Sequence, residues 1–261
     1  MTLRTTLRCL AASLLLAGAT LPLLAQDNVG EKYDKPGTVA LRDILTERVQ
    51  NRAYELKGEE VRYRPERDTV DTLAAYGRAL EVSKCLVEAN RVGVEQALAM
   101  RPLSSQEQEL FAALFTGGGN CGSPTTTVLA LQRGMLSEAA YLAAHPDQVP
   151  LPRNVDSAAV ARFVDGEVDW NAHRIEADSV LIGASNCLVM TNPAIADLLA
   201  RTVHGSDDET IVMDALFNAA PQCAGRRPDR VSTTFLRAFV MDALYRAHVN
   251  EEARLVFLMG G

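Results

Sequence analysis

The sequence is poor in the residues that advertise a chemistry. Aromatic side chains make up 5% of its 261 residues, with a single Trp, and 33 acidic groups outnumber 26 basic ones. A chain of formal charge −7 with so few rings lacks both the electrostatic footprint and the stacking platform of a nucleic-acid binder. The four histidines, His145, His173, His204 and His248, show no His-x-x-x-His spacing, which removes the usual helical pair of metal ligands. Each of them reads as a surface or loop residue. No Gly-x-Ser-x-Gly elbow occurs, and Gly117-Gly118-Gly119 is not followed by the Gly-Lys-Ser/Thr of a phosphate loop. Asp165 to Asn171 places oxygens on alternate residues, with Glu176 at the twelfth position. A calcium loop needs Gly where Trp170 stands, however, so the stretch reads as a solvated acidic linker. No catalytic residue, metal ligand or cofactor is expected.

Long apolar runs are also missing, with one exception. Leu10 to Leu24 follows Arg4 and Arg8 and ends at Ala25 before Gln26-Asp27. A positive start, a short apolar core and a small-residue end predict an export signal over residues 1–25, with Ala17-Gly18-Ala19 as a second cleavage candidate. The core is too short and interrupted for a spanning helix of roughly 20 residues, and no later stretch is apolar enough to span. Cys9 lies inside the signal, and Thr6-Leu7-Arg8 before it is unlike a lipoprotein attachment site. The expected location is periplasmic or secreted, without a membrane span in the mature chain. Loss of two arginines takes the net charge from −7 to −9.

Four cysteines remain, Cys85, Cys121, Cys187 and Cys223, an even number that fits disulfides in an exported chain. Residues 85 and 121 stand 36 apart, as do 187 and 223, and a shift of 102 residues superposes both pairs. Ten of the 37 positions so aligned are identical, against roughly two by chance. Among them are Cys85-Leu86-Val87 on Cys187-Leu188-Val189, Asn90 on Asn192, and Ala113-Leu114-Phe115 on Ala215-Leu216-Phe217. Beyond the second cysteine the offset becomes 104, and Arg133, Glu138, Ala139 and Tyr141 fall on Arg237, Asp242, Ala243 and Tyr245. The pattern reads as a duplication. Of the three pairings that four cysteines allow, it favours Cys85–Cys121 with Cys187–Cys223, because a single ancestral repeat had only its own two to join.

Local signals place four helices in each repeat. Asn90 and Asn192 are good N-cap residues, with Pro193 at a first helical position. Ser104-x-x-Glu107 and Ser206-x-x-Glu209 are capping boxes at the same repeat position, and apolar stripes follow both. The helices expected are 70–88, 91–100, 105–116 and 128–144, then 177–190, 193–203, 207–218 and 233–248, with the second cysteine of each repeat in a loop. The organisation is thus a signal (1–25), an extension (26–69) with one helix over Thr38–Val49, repeat 1 (70–144), a linker (145–176) and repeat 2 (177–261). Tyr54-Glu55-Leu56 and Val61-Arg62-Tyr63 alternate around Gly58 as a small hairpin would. A short helix starting at Asp156 or Ser157 is expected inside the linker. Leu255 to Met259 is apolar enough to pack on the body. The fold class is all-α: two tandem four-helix repeats, each with its own disulfide, forming a bundle or a short solenoid.

A helix ending in Cys-Leu-Val, a capped helix pair, a second cysteine in a loop, and a helix carrying Arg-x-x-x-x-(Glu/Asp)-Ala-x-Tyr together resemble a group of exported, duplicated all-helical proteins of alphaproteobacteria. The resemblance covers roughly residues 70–245. It implies the fold and a Gram-negative envelope location, and no activity.

Arg133, Arg237, Tyr141 and Tyr245 are the candidate ligand-binding residues, since an arginine fork could clamp a carboxylate. Their occurrence once per repeat favours a structural role, with each Arg bonding the carbonyls of a neighbouring helix end or pairing with Glu138 or Asp242. Helical repeats that stack into concave surfaces point to a binding or scaffold protein with a protein or peptide partner in the periplasm. The alternatives are a small-molecule or envelope-component binder with a pocket between the repeats, and an unrecognised hydrolase.

Overall fold

Short side chains with a free oxygen start most of the helices, and buried stripes hold them. The computed structural model describes residues 54–56, 59–61, 68–117, 119–122, 129–148, 155–174, 176–229, 231–250 and 253. The expected signal (1–25), the helix over Thr38–Val49 and the apolar stretch Leu255–Met259 lie outside these residues. A two-stranded antiparallel pair, β1 (Tyr54–Leu56) and β2 (Glu59–Val61), sets Leu56 opposite Glu59 and Tyr54 opposite Val61. The second strand begins two residues earlier than the alternation indicated, because a two-residue connection fixes the register. Among the described residues, every other regular element is helical.

The first long helix, α1 (Val70–Leu98), has non-helical backbone inside it at Asn90, with φ −149° and ψ 62°. The Asn90 side-chain oxygen accepts the Gly93 N–H at 3.0 Å, so the cap expected there is made, at a kink between two helical stretches. The second half breaks at the equivalent residue. There α5 (Glu176–Thr191) gives way to α6 (Pro193–Arg201) at Asn192, with φ −136° and ψ 62°, and the two bend by 106°. Asn192 makes no side-chain cap, and its amide nitrogen is buried without a hydrogen-bond partner. The capped helices α2 (Ser105–Gly117) and α7 (Asp207–Ala219) fall within a residue or so of expectation. A 3-10 turn at Gly119–Cys121 and a one-turn helix, α8 (Pro221–Ala224), carry the second cysteines in place of plain loops. Both expected disulfides form, Cys85–Cys121 and Cys187–Cys223, each with Cα atoms 5.5 Å apart.

At the centre lie α3 (Leu129–Ala144) and α9 (Thr233–Val249). Every residue of α3 from Gln132 to Tyr141 is buried, and so is every residue of α9 from Thr234 to Tyr245. Helices buried all round belong inside a domain rather than on its face. The two run parallel, side by side: they touch at Gly134 and Ala238 near their starts, and at His145, just past the end of α3, and His248, in the last turn of α9. In the first half α1 covers α3 and α2 packs on α1; in the second, α5 covers α9, and α4 (Ser157–Trp170) packs on α5. Among the described residues no single helix is long and apolar enough to cross a membrane.

Asp156 caps α4 through its carboxylate, which accepts the Ala159 N–H at 3.3 Å, so the helix starts where expected. It continues to Trp170, and this corrects the reading of Asp165 onward as a solvated acidic linker. Glu167 is 3% exposed and pairs with Arg246 at 2.7 Å, while the Arg246 guanidinium lies 4.0 Å over the Trp170 ring. The local pattern of acids had hidden an amphipathic helix whose buried acid meets its partner 79 residues later.

The approach of α3 to α9 depends on one missing side chain. A Cβ added at Gly134 would stand 2.5 Å from the Ala238 Cα and 2.6 Å from its carbonyl oxygen. These are backbone atoms, so the helices would have to part. Gly134→Ala is therefore expected to lower stability by about 1–3 kcal/mol or more, measured by urea unfolding, whereas an exposed helical glycine exchanged for Ala gains stability. An unchanged or raised midpoint would show that the helices do not touch there.

Candidate functional site

Two buried arginines organise the interior. Arg133, 1% exposed on α3, donates through Nη2 to the Leu98 carbonyl at 2.8 Å and through Nη1 to the Met100 carbonyl at 3.2 Å, at the end of α1. The same guanidinium meets Glu107 Oε1 at 2.6 Å and Asp242 Oδ1 at 2.9 Å. Arg237, 1% exposed on α9, donates to the carbonyls of Ala200 at 3.4 Å and Thr202 at 3.1 Å, at the end of α6. It also meets Glu209 at 2.9 Å and grips Glu138 with two bonds of 2.9 and 2.7 Å. Each fork thus satisfies orphan carbonyls at a helix C-terminus, where positive charge is favoured, and neutralises two carboxylates. Both parts of the structural reading of these arginines are met, with one difference. The acid five residues on is not the partner of its own Arg: Arg133 pairs with Asp242 and Arg237 with Glu138, across the two halves.

The capping boxes feed the same network. Ser104 and Ser206 each accept the N–H of the Glu three residues on, at 3.2 Å, as expected. The glutamates reach further back than a box requires, to the N–H of Leu103 at 2.5 Å and of Gly205 at 2.6 Å, which leaves their second oxygen for the arginine. Leu103 and Gly205 hold matching left-handed backbones, with φ 63° and 79°. Glycine adopts this conformation freely, whereas the leucine pays about 1 kcal/mol for it.

Three participants escaped the sequence reading. Tyr76, on the inward face of α1, donates to Glu138 at 3.1 Å; burial and then the Glu138 charge push its phenol well above the usual value, so it stays a donor. Arg174 closes the network on the other side, meeting Asp242 at 2.5 Å. Burial would raise the Asp242 carboxyl, but the guanidiniums of Arg133 and Arg174 hold it below the ordinary carboxylate range. His204 is the third. Its Nδ1 lies 2.9 Å from Glu209, its Nε2 lies 3.2 Å from the Thr234 hydroxyl, and its ring packs on Tyr76 at 4.4 Å. Burial would raise Glu209 too, but the His204 bond and the Arg237 charge bring it below the usual range. The surface-or-loop reading of the histidines holds for the exposed His173 and for His145 and His204, which lie in the connections after helices, although the His204 side chain is only 5% exposed; His248 departs from it, half-buried in the last turn of α9.

The two tyrosines follow the crosswise rule. Tyr141 donates to Asp197 of the other half at 2.9 Å, and Arg201 grips that same Asp197 at 2.9 Å. Tyr245 is buried, and burial followed by the charge of Glu95 in the first half raises its phenol. Arg133, Arg237, Tyr141 and Tyr245 therefore lie inside the seam between the halves. All five N–H groups of Arg237 are engaged with protein atoms.

An opening lies elsewhere, beside the start of α9. A pocket of about 470 Å³ is lined by Asp68, Asp214, Arg227, Pro228, Asp229, Val231, Ser232 and Thr233, none of them a candidate from the sequence. Ser232 caps α9 by accepting the Phe235 N–H at 3.3 Å, and Asp68 Oδ2 accepts the next free one, from Thr234, at 3.2 Å. The other oxygen of Asp68 is buried and has no hydrogen-bond partner. Arg227 is held by Asp214 at 2.9 Å and by the Thr233 hydroxyl, and Arg226 by Asp229 at 2.9 Å. Among the described residues, three carboxylates line the pocket together with the guanidinium of Arg227, which is already paired. Val70 and Ile211, near Asp68 and Asp214 in the chain, are 83% and 64% exposed.

Among the described residues no group of three or more His, Cys, Asp or Glu is placed to hold a metal ion. Comparison with protein-family models, with curated proteins and with solved structures finds no match for this chain.

Proposed function

We propose that the chain is an exported binding protein of the cell envelope, and that the pocket beside the start of α9 receives a Lys- or Arg-bearing segment of a peptide or protein partner. The observation that carries this reading is the second oxygen of Asp68, buried and without a donor. A buried carboxylate oxygen left unpaired is costly, and a charged N–H donor arriving from outside would remove that cost. Asp214 and Asp229 line the same pocket but are each already paired, with Arg227 and Arg226, so the charge offered to such a partner is that of Asp68. The formal charge of −7 favours encounter with basic partners.

Export to the periplasm, or beyond it, rests on the apolar segment after Arg4 and Arg8 and on two disulfides, which fit a compartment that oxidises thiols. Duplication of one ancestral unit accounts for the paired arginines, the paired disulfides and the matched backbone breaks.

Titration calorimetry with a short Lys/Arg peptide, spermidine and an acidic control peptide tests the site. The basic ligands are expected to bind and the acidic one not to. Asp68→Asn, which keeps an acceptor for Thr234 and removes the charge, is expected to weaken binding about tenfold to a hundredfold. Equal binding by the variant would place the site elsewhere, and no binding of any basic ligand would remove the reading.

A further inference from the structure

The C-terminal ends of α3 and α9 meet through two imidazoles. His145 Nε2 and His248 Nδ1 are 2.9 Å apart, with ring centroids at 4.4 Å and planes at 82°. The Tyr141 ring packs against both, 4.9 Å from His145 and 5.9 Å from His248. We infer that these histidines form a pH-sensitive latch, which fastens the two helix ends together near neutral pH and lets go when the pair takes up its second proton.

The proton balance follows from the contact. An N···N bond of this length holds one hydrogen, given by one ring and accepted by the lone pair of the other. A first added proton goes to a nitrogen outside the contact and makes the donor ring cationic, which strengthens the bond. A second has to occupy the accepting lone pair. Both facing nitrogens then carry hydrogens, the bond is lost, and two cations confront each other across a van der Waals gap. Such a pair titrates as a unit in two steps rather than as two separate residues.

The surroundings of His145 resist the second proton. From α6, Asp197 and Arg201 face His145; from α3 comes the uncharged Tyr141; and from the turn after α3 comes Asp147, beside Arg201. The Asp197 charge favours a protonated His145, but both its oxygens are already taken by Arg201 and Tyr141. Arg201 Nη2 also donates to the carbonyls of His145 at 3.1 Å and Asp147 at 2.6 Å, which fixes the ring beside a guanidinium. Burial, ahead of these charges, leaves His145 below the ordinary imidazole value. A depressed folded-state value gives stability that is complete above the unfolded value, near 6.5, and is lost as pH falls through the folded one.

The test is a proton NMR titration of the imidazole resonances in the intact protein, with amide exchange followed alongside. Two coupled steps are expected for His145 and His248, the second well below the ordinary imidazole value of about 6.5. From about pH 7.5 to about one unit below the second step, exchange corrected for its intrinsic rate should rise at least about tenfold in residues 141–148 and 245–250. In His145→Gln and His248→Gln this local rise should disappear, and in His173→Gln it should persist. Independent single-step titration of the two rings near the ordinary value in the wild-type chain would overturn the inference, whatever the variants do. So would an unchanged local exchange rate across the second step.

Discussion

Arg237→Met is expected to lower the unfolding free energy by about 3–5 kcal/mol, because it strands Glu138 and part of Glu209 in the interior without their cation. That is a large share of the roughly 5–15 kcal/mol that keeps a domain folded. Arg237→Lys should recover only part of the loss: an ammonium has three hydrogens, whereas the guanidinium makes six contacts with Glu138, Thr202, Glu209 and Ala200. Combining Arg237→Met with Glu138→Leu should be milder than Arg237→Met alone, since an apolar pair in place of a buried ion pair is often neutral. Glu209 then still keeps the His204 ring and the Gly205 N–H. Urea unfolding decides the matter. A loss below about 1 kcal/mol in the single variant, or a double variant worse than either single one, would show that the ion cage does not hold the halves together.

Reduction of both disulfides is the second large effect. Each bridge closes a loop with a sequence separation of 36, for which chain entropy gives a stabilisation of about 4 kcal/mol. Losing both should bring the chain close to unfolding at room temperature. Removing one, as Cys85→Ser with Cys121→Ser, should lower the midpoint of a single transition. The crosswise pairs make the halves one cooperative unit, so calorimetry of this variant should show one peak with matched calorimetric and van't Hoff enthalpies. Two resolved peaks would mean that each half folds for itself.

How much of this could be read from the chain depends on the distance over which each signal acts. Caps act over three residues, so Ser104, Ser206, Asp156 and Asn90 marked their helices correctly. The cysteine pairing was legible because one spacing occurs twice. Arg133 and Arg237 were singled out for the same reason, and their helix-end carbonyls were anticipated. What stayed hidden was the exchange of acids, since nothing local tells Arg133 to choose Asp242, 109 residues on, over Glu138, five residues on. Arg174 was invisible because it follows a run that reads as an acidic linker, and Gly134 because a close helix crossing leaves no periodic trace. The pocket is assembled from Asp68 and residues 214–233, and no motif joins them.

The exchange of acids bears on how the chain matures as it is made. Cys85 and Cys121 are complete, and close enough in sequence to be joined, long before Asp242 exists. Arg133 by then has Glu107 and the end of α1, but the carboxylate opposite arrives only with the last helix. The first half must therefore wait with a charged gap on the face it will later bury, and the second half brings Arg237 to the waiting Glu138 as it delivers Asp242. Truncation anywhere before α9 leaves both gaps open at once, and to a cell's quality control such a fragment looks like an unfinished interface.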